Sequence, residues 1–232
     1  MTGSAVIIGA SGGIGRAFVA ALEEEGAFAK IWQFARSFGG DRHLDLGDEA
    51  SIAAAAQRVA SGPAPMLVIV ATGILHDDVH GPERALKDLD AGWLARQFAV
   101  NAIGPALVAK HFLPLLPRDG APVFAALSAR IGSISDNGMG GWYGYRASKA
   151  ALNMLIRSAA IEAKRANNRS IVVGLHPGTV DTPLSEPFQA NVAPGKLFEP
   201  DRAALQLLDV IDGLKPQDSG RLFAWDGEEI AP

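Results

Sequence analysis

Ser4-Ala5-Val6-Ile7-Ile8-Gly9-Ala10-Ser11-Gly12-Gly13-Ile14-Gly15 is the stretch that decides the fold. Its first five residues read as a buried strand. Over residues 14–25 apolar positions return at helical spacing, and the run stops at Gly26, a natural helix end. Between them lies a turn in which Gly9, Gly13 and Gly15 give the spacing GxxxGxG. Glycine lets the backbone turn sharply and keeps a Cβ out of the path of an approaching pyrophosphate. The helix start then offers free N–H groups and a partial positive charge. Gly9, Ser11, Gly12, Gly13, Ile14 and Gly15 are therefore candidate cofactor-binding positions for a dinucleotide. An ordinary glycine loop is the alternative, and the position at the first strand-to-helix junction favours the dinucleotide.

Downstream the alternation continues. Strand-like runs fall at 30–35, 66–71, 122–127, 171–175 and 221–225, with a shorter candidate at 42–46. Helical patterns fall at 48–60, 90–116, 143–167 and 200–212, with Gly104-Pro105 a point of irregularity in the second. Near-continuous apolar strands separated by helices indicate a parallel sheet covered on both faces. The expectation is an α/β, doubly wound, Rossmann-type sheet of about seven strands, in one domain over residues 1–232. Residues 183–199 (PLSEPFQANVAPGKLFE) are punctuated by proline and weakly periodic, and read as a loop over a site.

The chain has 232 residues, with 21 Lys plus Arg against 25 Asp plus Glu, a formal charge of −4. A mildly acidic chain with no basic run is a poor partner for nucleic acid or an anionic membrane. No cysteine is present, which excludes disulfides, thiol nucleophiles and cysteine metal sites. No apolar run approaches the roughly 18 residues of a membrane span. The opening Met1-Thr2-Gly3-Ser4 has no basic leader, so a cytoplasmic location is expected. His76, Asp77, Asp78 and His80 cluster in a loop with no spacing that would converge them, so no metal site is expected.

Tyr145-Arg146-Ala147-Ser148-Lys149 sets a phenol and an amine one helical turn apart on one face. A free phenol has a pKa of about 10. A nearby ammonium would lower it and let the tyrosine exchange a proton with a carbonyl or alcohol oxygen. Tyr143 has Ala147, not lysine, four residues on; with Trp142 it reads as pocket lining or core.

GxxxGxG at the N-terminal end, joined to Tyr-x-x-x-Lys about 130 residues later, resembles the short-chain dehydrogenase/reductase family. Residues 141–149 (GWYGYRASK) and the Phe223-Ala224-Trp225-Asp226-Gly227 ending are similar to its bacterial C-factor-like and sniffer-type carbonyl reductase branch. The resemblance implies a nicotinamide cofactor and hydride transfer between it and a carbonyl/alcohol pair. Tyr145 would give the proton, and Lys149 would depress its pKa and hold the ribose. Asn101 would support a proton relay. The serine that holds the substrate oxygen should lie three residues before Gly132, where this chain has Ala129; Ser128 is the favoured substitute, with Ser133 and Ser135 as others, or the donor is missing.

The resemblance also distributes the cofactor contacts. Arg36 and Ser37, after the second strand, suit a 2′-phosphate, which favours NADP while leaving NAD open. Asp45 and Leu46 fall at the adenine position, with a capping role for Asp45 as the other reading. Ala71, Thr72 and Gly73 follow the strand at 66–71; Gly73 fits the family pattern, whose two asparagines are absent. Pro177, Gly178, Val180 and Thr182 match the turn that faces the carboxamide. Trp142, Tyr143 and Leu184 would line an apolar substrate pocket. Relatives pair through the two long helices, so a homodimer or homotetramer is expected. A dinucleotide-binding regulatory or signalling protein is the rival reading, and an isomerase, epimerase or dehydratase ranks below it.

Overall fold

The computed structural model describes residues 3–232. In chain order it contains β1 (Ser4–Ile8), α1 (Gly13–Glu25), β2 (Lys30–Phe34), α2 (Glu49–Ala60), β3 (Pro65–Val70), α3 (Ala91–Phe98), α4 (Gly104–Phe112), β4 (Val123–Leu127) and α5 (Tyr143–Ala166). The remainder is β5 (Ile171–His176), β6 (Thr179–Val180), β7 (Leu197–Phe198), α6 (Pro200–Gly213), β8 (Leu222–Ala224) and β9 (Glu229–Ile230). Seven strands form one sheet in the order β2-β1-β3-β4-β5-β8-β9, parallel except for the final β8–β9 pair.

Strand alternation sends neighbouring side chains to opposite faces. Val6, Ile8, Val68, Val70, Phe124, Ala126 and Val172 pack under α2, α4 and α5. Ala5, Ile7, Leu67, Ile69, Ala125, Val173 and Leu175 pack under α1 and α6. Both faces are dry, which is why these strands carry no polar alternation. The chain steps from β1 outward to β2, then returns to lay β3 on the other side of β1. That reversal opens a crevice at the carboxyl ends of β1 and β3, where an open α/β sheet takes its ligand.

The helix ends follow local chemistry. Asp48 caps α2 by accepting from the Ala50 N–H, and Asp90 caps α3 through the Trp93 N–H. Gly26 closes α1 in the left-handed region (φ +65°), returning its N–H to the Leu22 carbonyl.

Four expectations are corrected. Residues 42–46 form no strand and contribute one bridge, Ala35 to His43, because a short 3-10 turn at Gly40–Arg42 takes up the chain there. The irregularity near Gly104-Pro105 is a π-helical turn one step earlier, Ala99–Ile103. Residues 183–199 hold a 3-10 helix, Glu186–Asn191, and strand β7, which pairs with β6. The stretch Ala91–Leu115 has the length and apolar content of a membrane span, yet Trp93, Ala102, Val108 and Phe112 on it are buried in the fold.

Candidate active site

The glycine turn is built around contacts that admit no side chain. Gly9 sits at φ +89°, and a Cβ there would lie 2.5 Å from the Ala71 carbonyl oxygen and 2.8 Å from Thr72 Cγ2. A Cβ on Gly15 would run into the Gly9 carbonyl oxygen, and one on Gly13 would sit 2.8 Å from Thr182 Cγ2. The Gly12 N–H closes the turn on the Gly9 carbonyl at 3.0 Å. Helix α1 has no side-chain cap at Gly12 and no acidic residue in its first turn. Its leading N–H groups therefore face outward beside the positive end of the helix dipole, the condition for holding a phosphate. The Thr72 hydroxyl is buried beside this turn with no hydrogen-bond partner. These features fit a dinucleotide pyrophosphate at Gly9–Gly15.

The other predicted cofactor positions divide. Ala71 and Thr72 touch the turn, and Thr182 reaches it from the far side at Gly13. Val180 is buried and pairs with Phe198, which fixes the backbone of the Pro177–Thr182 segment. Gly178 stands at φ +76° against the Phe198 ring. Arg36 and Ser37 are exposed just beyond β2, and the Arg36 guanidinium makes no hydrogen bond or ion pair among the described residues. Asp45 turns its carboxylate onto the Gly47 N–H (2.8 Å), the local capping role. Leu46 packs into the core against Gly104.

Tyr145 and Lys149 lie on the inner face of α5, 8% and 2% exposed. Lys149 Nζ donates to the Leu127 carbonyl at 2.8 Å and stands 5.7 Å from the centre of the Tyr145 ring. Burial pulls the Lys149 amine down to about 7. Burial also pushes the Tyr145 phenol up to about 12. The expected lowering of the Tyr145 pKa by Lys149 is therefore absent in this arrangement: desolvation acts on both groups, and the amine spends a proton on a carbonyl oxygen. The phenol is held in its proton-donating form.

Asn101 is fully buried inside the π-helical turn. Its Nδ2 donates to the Ile74 carbonyl (2.8 Å) and to Ser148 Oγ (3.1 Å), and its Oδ1 accepts from the Ile74 N–H (2.8 Å). The side chain thus ties the chain after β3 to the helix carrying Tyr145. A Cβ on Gly73 would lie 3.6 Å from Asn101 Oδ1, Lys149 Nζ and Leu184 Cδ1 alike, so these predicted groups converge on one point.

Ser128 does not join them. Its hydroxyl donates to Asn153 Oδ1 at 2.6 Å, on the face of β4 that looks at α5. Ser133 Oγ accepts from the Asp136 N–H, and Ser135 Oγ donates to the Pro232 carbonyl. The residue packed against Tyr145 is Ala129. The assignment of the oxygen-holding hydroxyl to Ser128 is corrected, because strand parity turns it away.

Around Tyr145 lie Leu75, Ala129, Ile131, Trp142, Leu184 and Phe188. The Trp142 ring is 5.0 Å from Phe188 and 6.4 Å from Tyr145, centre to centre. His76 meets Phe188 edge-on at 5.7 Å and bonds the Pro183 carbonyl through Nε2 (3.0 Å). Of the predicted lining, Trp142 and Leu184 are in this cluster and Tyr143 is outside it. Leu75 and Ile131 were not anticipated. Phe188 is one of the two phenylalanines of the 183–199 segment read as a loop over the site.

A family profile described as enoyl-(acyl carrier protein) reductase matches residues 9–201. The C-signal protein of Myxococcus xanthus is 37% identical over 175 residues, 75% of this chain and 96% of that one. The chain belongs to the short-chain dehydrogenase/reductase family. An NADPH-bound carbonyl reductase from chicken fatty liver superposes with a TM-score of 0.83 at 28% identity, covering 100% of this chain and 99% of that one. The carbonyl reductase Sniffer of Drosophila melanogaster, at 22% identity and a TM-score of 0.77 over the full length of both chains, shares the fold. As a short-chain dehydrogenase/reductase the protein is an NAD(P)-dependent oxidoreductase.

Proposed function

We propose that the protein is an NADPH-dependent carbonyl reductase, acting in one cofactor-binding domain with residues 183–199 on the substrate side. The observation that carries the reading is the meeting of Gly73 and Asn101 with Lys149, one helical turn from Tyr145 on α5, together with an uncapped glycine turn. When bound, the nicotinamide dinucleotide supplies or accepts the hydride. Gly9–Gly15 hold its pyrophosphate, and Arg36 with Ser37 favour a 2′-phosphate.

The chain supplies the remaining steps. Tyr145 hands its phenolic proton to the carbonyl oxygen as that oxygen gains negative charge, and burial keeps the proton available until then. Lys149 returns a proton toward the phenolate, and its depressed pKa lets it give one up near neutrality. Asn101 keeps Ile74 and the Gly73 turn against Lys149. Leu75, Trp142, Leu184 and Phe188 exclude water and accept an apolar substrate. The exposed apolar side chains of Ile103, just before α4, and of Met154, Leu155 and Ile161 on α5 support a homodimer through these helices.

The test follows NADPH oxidation with a panel of aldehydes, ketones and quinones. Turnover is expected, with a loss of about 10²–10⁴-fold in Tyr145→Phe and NADPH binding intact. In Arg36→Ala the preference for NADPH over NADH should shrink. A regulatory reading is favoured by one observation, the missing hydroxyl at Ala129, and tight NADPH binding without turnover on any carbonyl would establish it.

A further inference from the structure

Glu83 is a carboxylate that this reaction does not use. It is 3% exposed and has no cationic partner among the described residues. Gln97 Nε2, itself fully buried on α3, donates to its Oε1 at 3.1 Å. The Gly144 N–H donates to its Oε2 at 3.2 Å, and the Trp142 N–H to its backbone carbonyl. A buried carboxylate without a cation is costly unless something else answers its charge. Here the answer is the start of α5, whose positive dipole end it faces.

That helix needs an outside partner. Over 24 residues it has no side-chain cap and no acid in its first turn, and its N-cap, Trp142, sits at φ +51°, the one non-glycine residue at positive φ among those described. A left-handed tryptophan is strained and persists only where its surroundings hold it. Gly144 is what lets the holders in: a Cβ there would lie 2.5 Å from Gln97 Nε2 and 2.8 Å from Glu83 Oε1. Tyr145 is the next residue, and the Trp142 ring forms the pocket wall beside it.

We infer that Glu83 is the positioning residue for Tyr145 and Trp142, capping the helix of the proton donor at its first turn. This rests on the reading of Tyr145 as that donor. Glu83 touches neither substrate nor cofactor; it fixes the backbone at 142–144 and through it the angle at which the phenol meets the substrate oxygen.

The test compares wild type, Glu83→Ala, Glu83→Gln and Gly144→Ala on a carbonyl that wild type reduces. It measures kcat, KM, NADPH affinity by fluorescence titration, and amide hydrogen exchange over 142–146. Glu83→Ala should lose at least about tenfold in kcat, as small misplacements of a reacting group do, with KM and NADPH affinity little changed and faster exchange at Gly144. Glu83→Gln should recover most of the rate, since its amide oxygen still accepts from the Gly144 N–H. Unchanged kcat in Glu83→Ala, or a loss confined to NADPH affinity, overturns the inference. If Glu83→Ala does not fold, Gly144→Ala decides: its methyl displaces Glu83 and Gln97 while keeping both, and a wild-type kcat there overturns it too. A wild type that reduces no carbonyl overturns the parent reading and this one together, whereas turnover that Glu83→Ala leaves untouched overturns this one alone.

Discussion

The single methyl group of Ala129 is the most consequential side chain at the residue scale. Ala129 packs beside Tyr145, so a carbonyl oxygen placed there receives no hydroxyl hydrogen bond from position 129. A hydrogen bond aimed at developing negative charge is worth roughly 10²–10³-fold in rate. Ala129→Ser should therefore raise kcat on a simple ketone by about tenfold or more, less than the full value because nothing pre-orients the new hydroxyl. Steady-state kinetics with one ketone and one aldehyde would show it, and the ketone should gain more. The sequence raised this question without answering it: counting from Gly132 pointed to Ala129, and a neighbouring serine looked able to substitute. The parity of β4 decides it. Ser128 shares a face with Ala126, toward α5, and finds Asn153 there. Alternation along a strand is legible in sequence, but the point at which the chain leaves the strand is not.

At the scale of elements, the six strands legible in the sequence are those with four or more apolar residues in a row or nearly so, a direct mark of double-sided burial. Strands β6, β7 and β9 have two residues each, too few for any period to register. Glu83 carries no sequence signal for a related reason. Its partners are a backbone N–H on α5 and a glutamine on α3, and no spacing in the chain announces a contact across 61 residues. The glycine turn was legible because its constraint is local. Gly15 touches the Gly9 backbone, which cannot move aside without breaking the strand end. Gly15→Ala should weaken NADPH binding at least tenfold, roughly the loss of one or two charge-assisted amide contacts. Calorimetric titration would measure it, and a wild-type affinity would contradict the close approach.

For the molecule as a whole, two desolvated bases, half-buried His176 and buried Lys149, make stability depend on pH. His176 is pulled down to about 4, by burial first and then by the Arg130 charge, with Asp226 opposing. Its Nδ1 has no partner. Between about 4 and the ordinary value near 6.5 the unfolded chain binds a proton that the folded chain refuses, so stability rises with pH through that window and is lost as pH falls. The full effect is about 3 kcal/mol. Lys149 does the same higher up: stability should climb between about 7 and the ordinary lysine value near 10.5. Urea melts of wild type and His176→Phe across the lower window should show a slope in the first and a shallower one in the second; parallel curves would remove His176 from the account.

The π-helical turn at Ala99–Ile103 has its own implication for how such chains can change. It is a regular helix with one residue to spare, and that surplus puts Asn101 on Ile74 and Ser148. Loss of a single codon there would heal the helix, leave spectroscopic helicity almost untouched, and swing α3 by about 100° about its axis relative to α4. Gln97 and Trp93 would leave their seats together. A deletion invisible to a folding assay would thus disconnect the proton donor from both of its braces at once.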